Sequence, residues 1–134
     1  MPFARLTIAD PNLSPAAGQE LAGAVTDLLD TVLLKDRDAA VVHINLVPAT
    51  SWYVAGANQP SATGAHLEVS ITAGTNSADE KAAFLRSAYE LLSSKLGPLP
   101  AAVYVALYEL DGEAYGYNGI SQAVRHQQAP TIRD

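Results

Sequence analysis

The 134-residue chain is 49% hydrophobic and 16% charged, carries a formal charge of −6 and contains no cysteine. Disulfides, thiolate metal sites and cysteine nucleophiles are therefore excluded, and eight scattered Lys and Arg in an acidic chain argue against a phosphate-backbone binder, which needs clustered cations. With no long uncharged apolar run, the expectation is one soluble domain over residues 1–134, cytoplasmic, with no signal peptide, no membrane span and no nucleic-acid partner.

The chain opens "MPFARLTIAD", a strand pattern headed by Pro2. Proline cannot donate to a sheet ladder, so the first residue of a strand is where it is tolerated. Removal of Met1 would leave Pro2 as a free secondary amine; with Met1 retained, its nitrogen is an amide without basicity. Ser14 followed by Pro15 marks a helix start, and Leu21, Val25, Leu28, Leu29, Val32 and Leu33 recur at helical spacing. Lys35 in "LLKDRD" is a cation at the end of that helix, where the dipole favours one. A strand, "AAVVHINL" from Ala39, follows, and then a connection rich in Pro, Gly, Ser and Ala that carries Trp52 and Tyr53. "VSIT" ending at Thr72 reads as the next strand, and "SADE" from Ser77 to Glu80 is a capping box. Phe84, Ala88, Leu91, Leu92 and Leu96 form a second helical stripe, stopped by Gly97 and Pro98. The last strand is "AAVYVALY" from Ala101; Asp111–Gly112 is a turn signal, and the tail beyond Gly119 shows little periodicity.

Placing Ser14 on Ser77 superposes "LTIADPNLS" on "VSITAGTNS", which exposes a duplication with pseudo-repeats at about 2–60 and 65–120 and a tail over 121–134. Each repeat reads strand, helix, strand. A returning parallel strand needs a right-handed crossover, so the predicted fold class is α/β (α+β in some schemes): tandem βαβ units forming a four-stranded sheet with two helices on one face. A ferredoxin-like arrangement shares this element order, but its second and third strands are often joined by a short turn, which the long aromatic-bearing connection fits poorly. Aliphatic residues alternating on both faces of "VVHINLV" and "YVALYEL" predict that oligomerisation covers the helix-free face.

Several residues have plain structural readings. His43 and His66 are lone strand histidines without metal-ligand partners, and Asp79 with Glu80 belongs to a helix start. No glycine-rich phosphate loop and no Ser-His-Asp arrangement stands out, so neither a metal nor a cofactor is expected.

Proline at position 2, the tandem βαβ duplication and the length together resemble the tautomerase superfamily over roughly residues 2–120. That superfamily includes 4-oxalocrotonate tautomerase, cis-3-chloroacrylic acid dehalogenase, malonate semialdehyde decarboxylase and macrophage migration inhibitory factor. The resemblance leans toward the last branch through Lys35 after the first helix, the Val42–His43 pair, "SIT" from Ser70 to Thr72, and "VYVALYELDGEAYGYNG". It implies a homotrimer in which Pro2 is the catalytic base, Lys35 binds a substrate carboxylate, and the Ile71 backbone contacts substrate. Tyr104 would line the pocket from a neighbouring subunit, Tyr115 and Tyr117 would form a hydrophobic wall, and Trp52 would take roughly the place of the pocket aromatic of 4-oxalocrotonate tautomerase.

The departures narrow the chemistry. Ala106 stands for an asparagine of the migration inhibitory factor branch, and Asn12 for an arginine of 4-oxalocrotonate tautomerase. Ala73 and Asn76 replace two arginines of the dehalogenase, Leu29 its histidine and Ala114 its water-activating glutamate. Hydrolytic dehalogenation is thereby disfavoured, as is decarboxylation that relies on arginines after the third strand. The expected activity is keto-enol tautomerisation of small 2-oxo or unsaturated carboxylic acids of the phenylpyruvate type. The alternatives are a hydratase or decarboxylase side activity of the same proline, and a trimeric binding or scaffold protein that has kept the fold without the chemistry. Each site residue also has a structural alternative: Pro2 as a strand-start proline, Lys35 as a helix-end cation, Tyr104 as a core aromatic. Tyr115 and Tyr117 could instead pack at a subunit contact, and Trp52 could simply cap the sheet.

Overall fold

Two βαβ units lie side by side in the computed structural model, which describes residues 1–128. The first runs through β1 (Phe3–Ile8), α1 (Pro15–Thr31) and β2 (Val41–Leu46); the second through β3 (Ala65–Thr72), α2 (Ala78–Leu96) and β4 (Tyr104–Leu110). The sheet order is β2-β1-β3-β4, with β1 parallel to β2, β3 parallel to β4, and β1 antiparallel to β3. The two strands of each unit are direct neighbours, so no strand is inserted within either unit as in the split βαβ of ferredoxin-like folds.

Both helices begin as their sequences dictate. The Ser14 side chain accepts from the Ala17 N–H with Pro15 in the first turn, and Ser77 and Glu80 form the reciprocal capping box. Helix α2 stops at Gly97, whose φ of 75° suits glycine. At the end of α1 the chain turns through Leu34, a non-glycine residue at φ 60°. The Lys35 N–H then reaches back to the Leu29 carbonyl at 2.9 Å and closes the end of the helix. Asn76 ties the units together by donating to the Leu33 carbonyl at 2.9 Å and to Glu80 at 3.1 Å.

Strand alternation decides what is buried. Ala4, Leu6 and Ile8 of β1 and Ala65, Leu67, Val69 and Ile71 of β3 meet Leu21, Val25 and Leu29 on one helix, Leu33 just beyond its end, and Phe84, Ala88 and Leu92 on the other, and all are buried. The outward rows differ from expectation. Val42 and Ile44 of β2 pack on the core, which leaves Val41, His43 and Asn45 in register with Phe3, Arg5 and Thr7 on the helix-free face. His66, Glu68, Ser70 and Thr72 of β3 pair there with Tyr104, Ala106, Tyr108 and Leu110 of β4. The centre of that face is thus polar, with Arg5 donating to His43 Nδ1 at 3.2 Å, and its apolar residues sit toward the edge strands. The aliphatic alternation read from "VVHINLV" was an overcount, because only one of the two alternating sets is aliphatic throughout.

The tail corrects a second expectation. A small hairpin, β5 (Gly116–Tyr117) and β6 (Ile120–Ser121), leads directly into a short helix α3 (Gln122–Gln128). Of the tail expected over 121–134, residues 129–134 lie outside the described residues. No helix among the described residues is long and apolar enough to cross a membrane.

Candidate functional site

Pro2 heads β1, which has a sheet partner on each side, and its carbonyl accepts from the Val41 N–H at 3.2 Å. Its ring is almost fully buried. Met1, Pro2 and Phe3 line a cavity of about 480 Å³ with Asp38, Ala39, Val41, Tyr115, Gly116, Tyr117 and Asn118. Met1, only 5% exposed, shares this cavity, and the Pro2 nitrogen beneath it is a tertiary amide while Met1 is attached.

The far wall is the hairpin. Asn118 and Gly119 have φ of 53° and 82°, the paired positive angles of a tight two-residue turn between Tyr117 and Ile120. Gly116 is obligatory, because a Cβ there would lie 2.1 Å from the Ile120 carbonyl oxygen. The Tyr115 hydroxyl donates to the Ser70 carbonyl at 3.1 Å. Burial raises the phenol's pKa above its ordinary value, with a smaller opposing effect from the Phe3 backbone. Tyr117 is held from behind by Arg125, whose guanidinium stacks 3.8 Å from the ring centroid and donates to the Tyr117 carbonyl at 3.0 Å. The near wall, Asp38 and Ala39, belongs to a 3₁₀ turn over Arg37–Ala39 that Arg37 anchors to α1 through Asp27 and Asp30, both at 3.1 Å. Those hydrogen bonds, Asp30 first, raise the guanidinium's pKa.

Lys35 is buried, at 2% exposure, and donates from Nζ to Thr75 Oγ1 at 2.7 Å; Thr75 in turn donates to the Thr72 carbonyl. Ile71 is fully buried, and extending the β1–β3 register by one residue beyond Phe3–Ser70 sets it beside Pro2. Neither side chain is part of the wall of the Pro2 cavity.

Trp52 and Tyr104 lie elsewhere in the protomer. With Tyr53, Val54, Ala55, Ala65, His66 and Ala102 they line a groove of about 390 Å³. Tyr104 pairs with His66, and His66 with Thr7, five residues along β1 from Pro2. At ~3.4 Å per residue that is about 17 Å, so within one chain Tyr104 does not reach Pro2. Trp52 lies flat on Gly64, where a Cβ would come within 2.3 Å of the indole. Its loop is pinned by Asn58, which donates to the Trp52 carbonyl at 2.8 Å and the Thr50 carbonyl at 3.2 Å.

The sequence reading thus found Pro2, Tyr115 and Tyr117 together. It missed Asp38, Ala39, Val41 and Asn118, although Asn118–Gly119 between two short apolar stretches is a hairpin signal. Among the described residues no group of His, Asp and Glu could hold a metal ion.

No protein-family model matches the chain and no curated protein matches it. Solved structures do. Pt0534, in a crystal structure of the protein inactivated by 2-oxo-3-pentynoate, is 16% identical with a TM-score of 0.81, covering 92% of this chain and 98% of that one. A fused 4-OT, described as a wild-type symmetric trimer, is 23% identical with a TM-score of 0.80 over the same shares. A macrophage migration inhibitory factor-like protein from Entamoeba histolytica is 18% identical with a TM-score of 0.73, covering 90% and 97%. The two parallel βαβ units joined through an antiparallel β1–β3 pair therefore give this chain the fold of the tautomerase superfamily.

Proposed function

We propose that the protein is a proline-dependent tautomerase acting on small 2-oxo or unsaturated carboxylic acids of the phenylpyruvate type, cytoplasmic and trimeric. The observation that carries the reading is the position of Pro2, buried at the head of β1 and facing Tyr115 and Tyr117 across one cavity. Once Met1 is removed, Pro2 is a secondary amine with a reference pKa somewhat above the ~7.7–8.0 of an α-amino group. Burial penalises its ammonium form, and the buried Lys35 ammonium adds like-charge repulsion; both act to bring the amine toward neutrality at working pH, against the opposite effect of Asp38 in the near wall. The neutral nitrogen takes the proton from the enol hydroxyl and, as the ammonium so formed, delivers it to C3, so that the C=C–OH unit becomes CH–C=O with no net gain or loss of atoms. The resemblance assigns Lys35 to the substrate carboxylate and to offsetting charge on the enolate; in the protomer its Nζ donates to Thr75 outside the cavity wall, and the role requires it to exchange that partner for the substrate. The rigid ring fixes the direction of the nitrogen lone pair.

The trimer is supported by the helix-free sheet face and by the position of Tyr104, about 17 Å from Pro2 in its own chain, where with Trp52 beside it in the same groove it would complete a neighbour's pocket. The fused 4-OT of the same fold is a trimer. A cytoplasmic location accords with the absence of cysteine.

The test is ketonisation of phenylenolpyruvate by protein whose intact mass shows Met1 removed. Pro2→Ala is expected to lower kcat/KM at least 100-fold, and full activity in that variant would sink the mechanism. Treatment with 2-oxo-3-pentynoate is expected to label the peptide beginning at Pro2, through addition of its nitrogen to the alkyne and proton transfer to the adjacent carbon.

The buried Met1 favours a second reading, a binding or scaffold protein, for any material that keeps the methionine. Such protein is expected to be inert toward the enol.

A further inference from the structure

We propose that the protein carries a second binding site, separate from the Pro2 cavity, that recognises a small primary carboxamide. The site is a cavity of about 400 Å³ between the β3–α2 connection and α3, lined by Thr72, Gly74, Thr75, Gly112, Gln122 and His126 among others. Its volume falls in the range of small-molecule sites, roughly 300–1,000 Å³.

What points to a ligand is the state of its polar groups. Gln122 is 3% exposed and Thr72 9%. The Gln122 Oε1 and Nε2 and the Thr72 Oγ1 are buried without a hydrogen-bond partner among the described residues. A buried polar group left unpaired costs about 1–3 kcal/mol, and native structures hold few of them. The two residues that carry these three buried atoms both line the one cavity. The backbone that carries the Gln122 side chain is held on both sides. The Gln122 N–H donates to the Tyr115 carbonyl at 2.7 Å and the Ala123 N–H to the Gly112 carbonyl at 3.0 Å. The segments approach closely at Gly112, where a Cβ would lie 3.4 Å from both Ala123 N and Thr72 Cγ2.

The donor set selects the ligand. Gln122 offers one acceptor beside one donor in a plane, the complement of another amide, which would return two parallel hydrogen bonds. The Thr72 hydroxyl can serve either remaining atom of the ligand amide. A carboxylate fits worse, because it would set an oxygen against Oε1. Lys35 donates to Thr75 Oγ1, and among the described residues neither Lys35 nor any other lysine or arginine is part of the cavity wall. His126 closes one side and gives a flat surface for a ring carrying the amide.

The test is a ligand-observed NMR titration of the intact protein with benzamide, benzoate and N,N-dimethylbenzamide, which lacks the N–H donor. Benzamide is expected to saturate with a Kd at least tenfold below those of the other two. Gln122→Leu and Thr72→Val are each expected to weaken it at least fivefold, with the fold checked by circular dichroism. Should Gln122→Leu fail to fold, Thr72→Val carries the test alone. Benzamide binding that survives Pro2→Ala and is not displaced by phenylpyruvate supports the second site independently of whether Pro2 is catalytic. Equal binding of the three probes, displacement by phenylpyruvate, or no saturation would overturn the proposal. So would a change in sedimentation by Gln122→Leu without any benzamide binding, which would assign the amide to a contact between copies.

Discussion

The hydroxyl of Tyr115 donates to the carbonyl of Ser70 across 3.1 Å, and this bond ties the β5–β6 hairpin to the central sheet beside Pro2. Tyr115→Phe is expected to cost about 1 kcal/mol and to loosen the cavity wall, raising KM more than it lowers kcat. Because the folded-state pKa of this phenol is raised above 10.0, the unfolded chain gives up the proton first. The tyrosine's contribution is therefore present below pH 10 and lost as pH rises through the folded-state value. Denaturant midpoints from pH 8 to 11 check this, with Tyr115→Phe showing the shallower decline.

Lys35 separates two readings cleanly. A cation that serves only the end of α1 predicts that Lys35→Met leaves substrate binding untouched. A carboxylate ligand predicts a rise in KM of at least tenfold with a smaller fall in kcat, measured on Met1-free protein. The second outcome is expected.

Leu34 adopts φ 60° one residue before Lys35, a conformation that costs an L-residue about 1–2 kcal/mol. Leu34 is also 45% exposed, so little packing is lost when its side chain is removed. Leu34→Gly is accordingly expected to be neutral or to raise stability by up to about 1 kcal/mol, read by thermal unfolding. A loss of more than 1 kcal/mol would contradict that account.

Gly64→Ala drives a methyl into the only tryptophan of the chain. Displacement of Trp52 is expected to shift its emission to longer wavelength and to cost about 1–3 kcal/mol. Unchanged emission would mean that the backbone yields instead of the indole.

The helices were legible because their information is local: Ser14, Pro15, the Ser77–Glu80 box and Gly97 each act within one turn. The sheet was legible through the duplication, since two copies of one βαβ pattern predict two parallel pairs. The row of β2 that faces the core was misjudged although it was legible, because Val41 and Val47 obscured the signal of His43 and Asn45, which mark their row as the one turned from the core. Helix α3 escaped notice for a different reason. Its seven residues carry no apolar stripe, and what fixes its start is backbone bonding to Tyr115 and Gly112, a non-local cause. The candidate site was half legible. Pro2, Tyr115 and Tyr117 converge as read, whereas Tyr104 is carried to the opposite end of the strands by the register of β3 with β4, and Trp52 joins it there by packing on Gly64.

Met1 is 5% exposed and its neighbour is already bonded into the sheet through the Val41 N–H. An aminopeptidase needs the terminal residues extended in its own cleft, so the folded chain is a poor target for trimming. In a chain that starts at Met1, excision must outpace the docking of β1. The order of two events during synthesis would thereby set what fraction of molecules is born active, and protein that folds first would persist as a permanently silent pool.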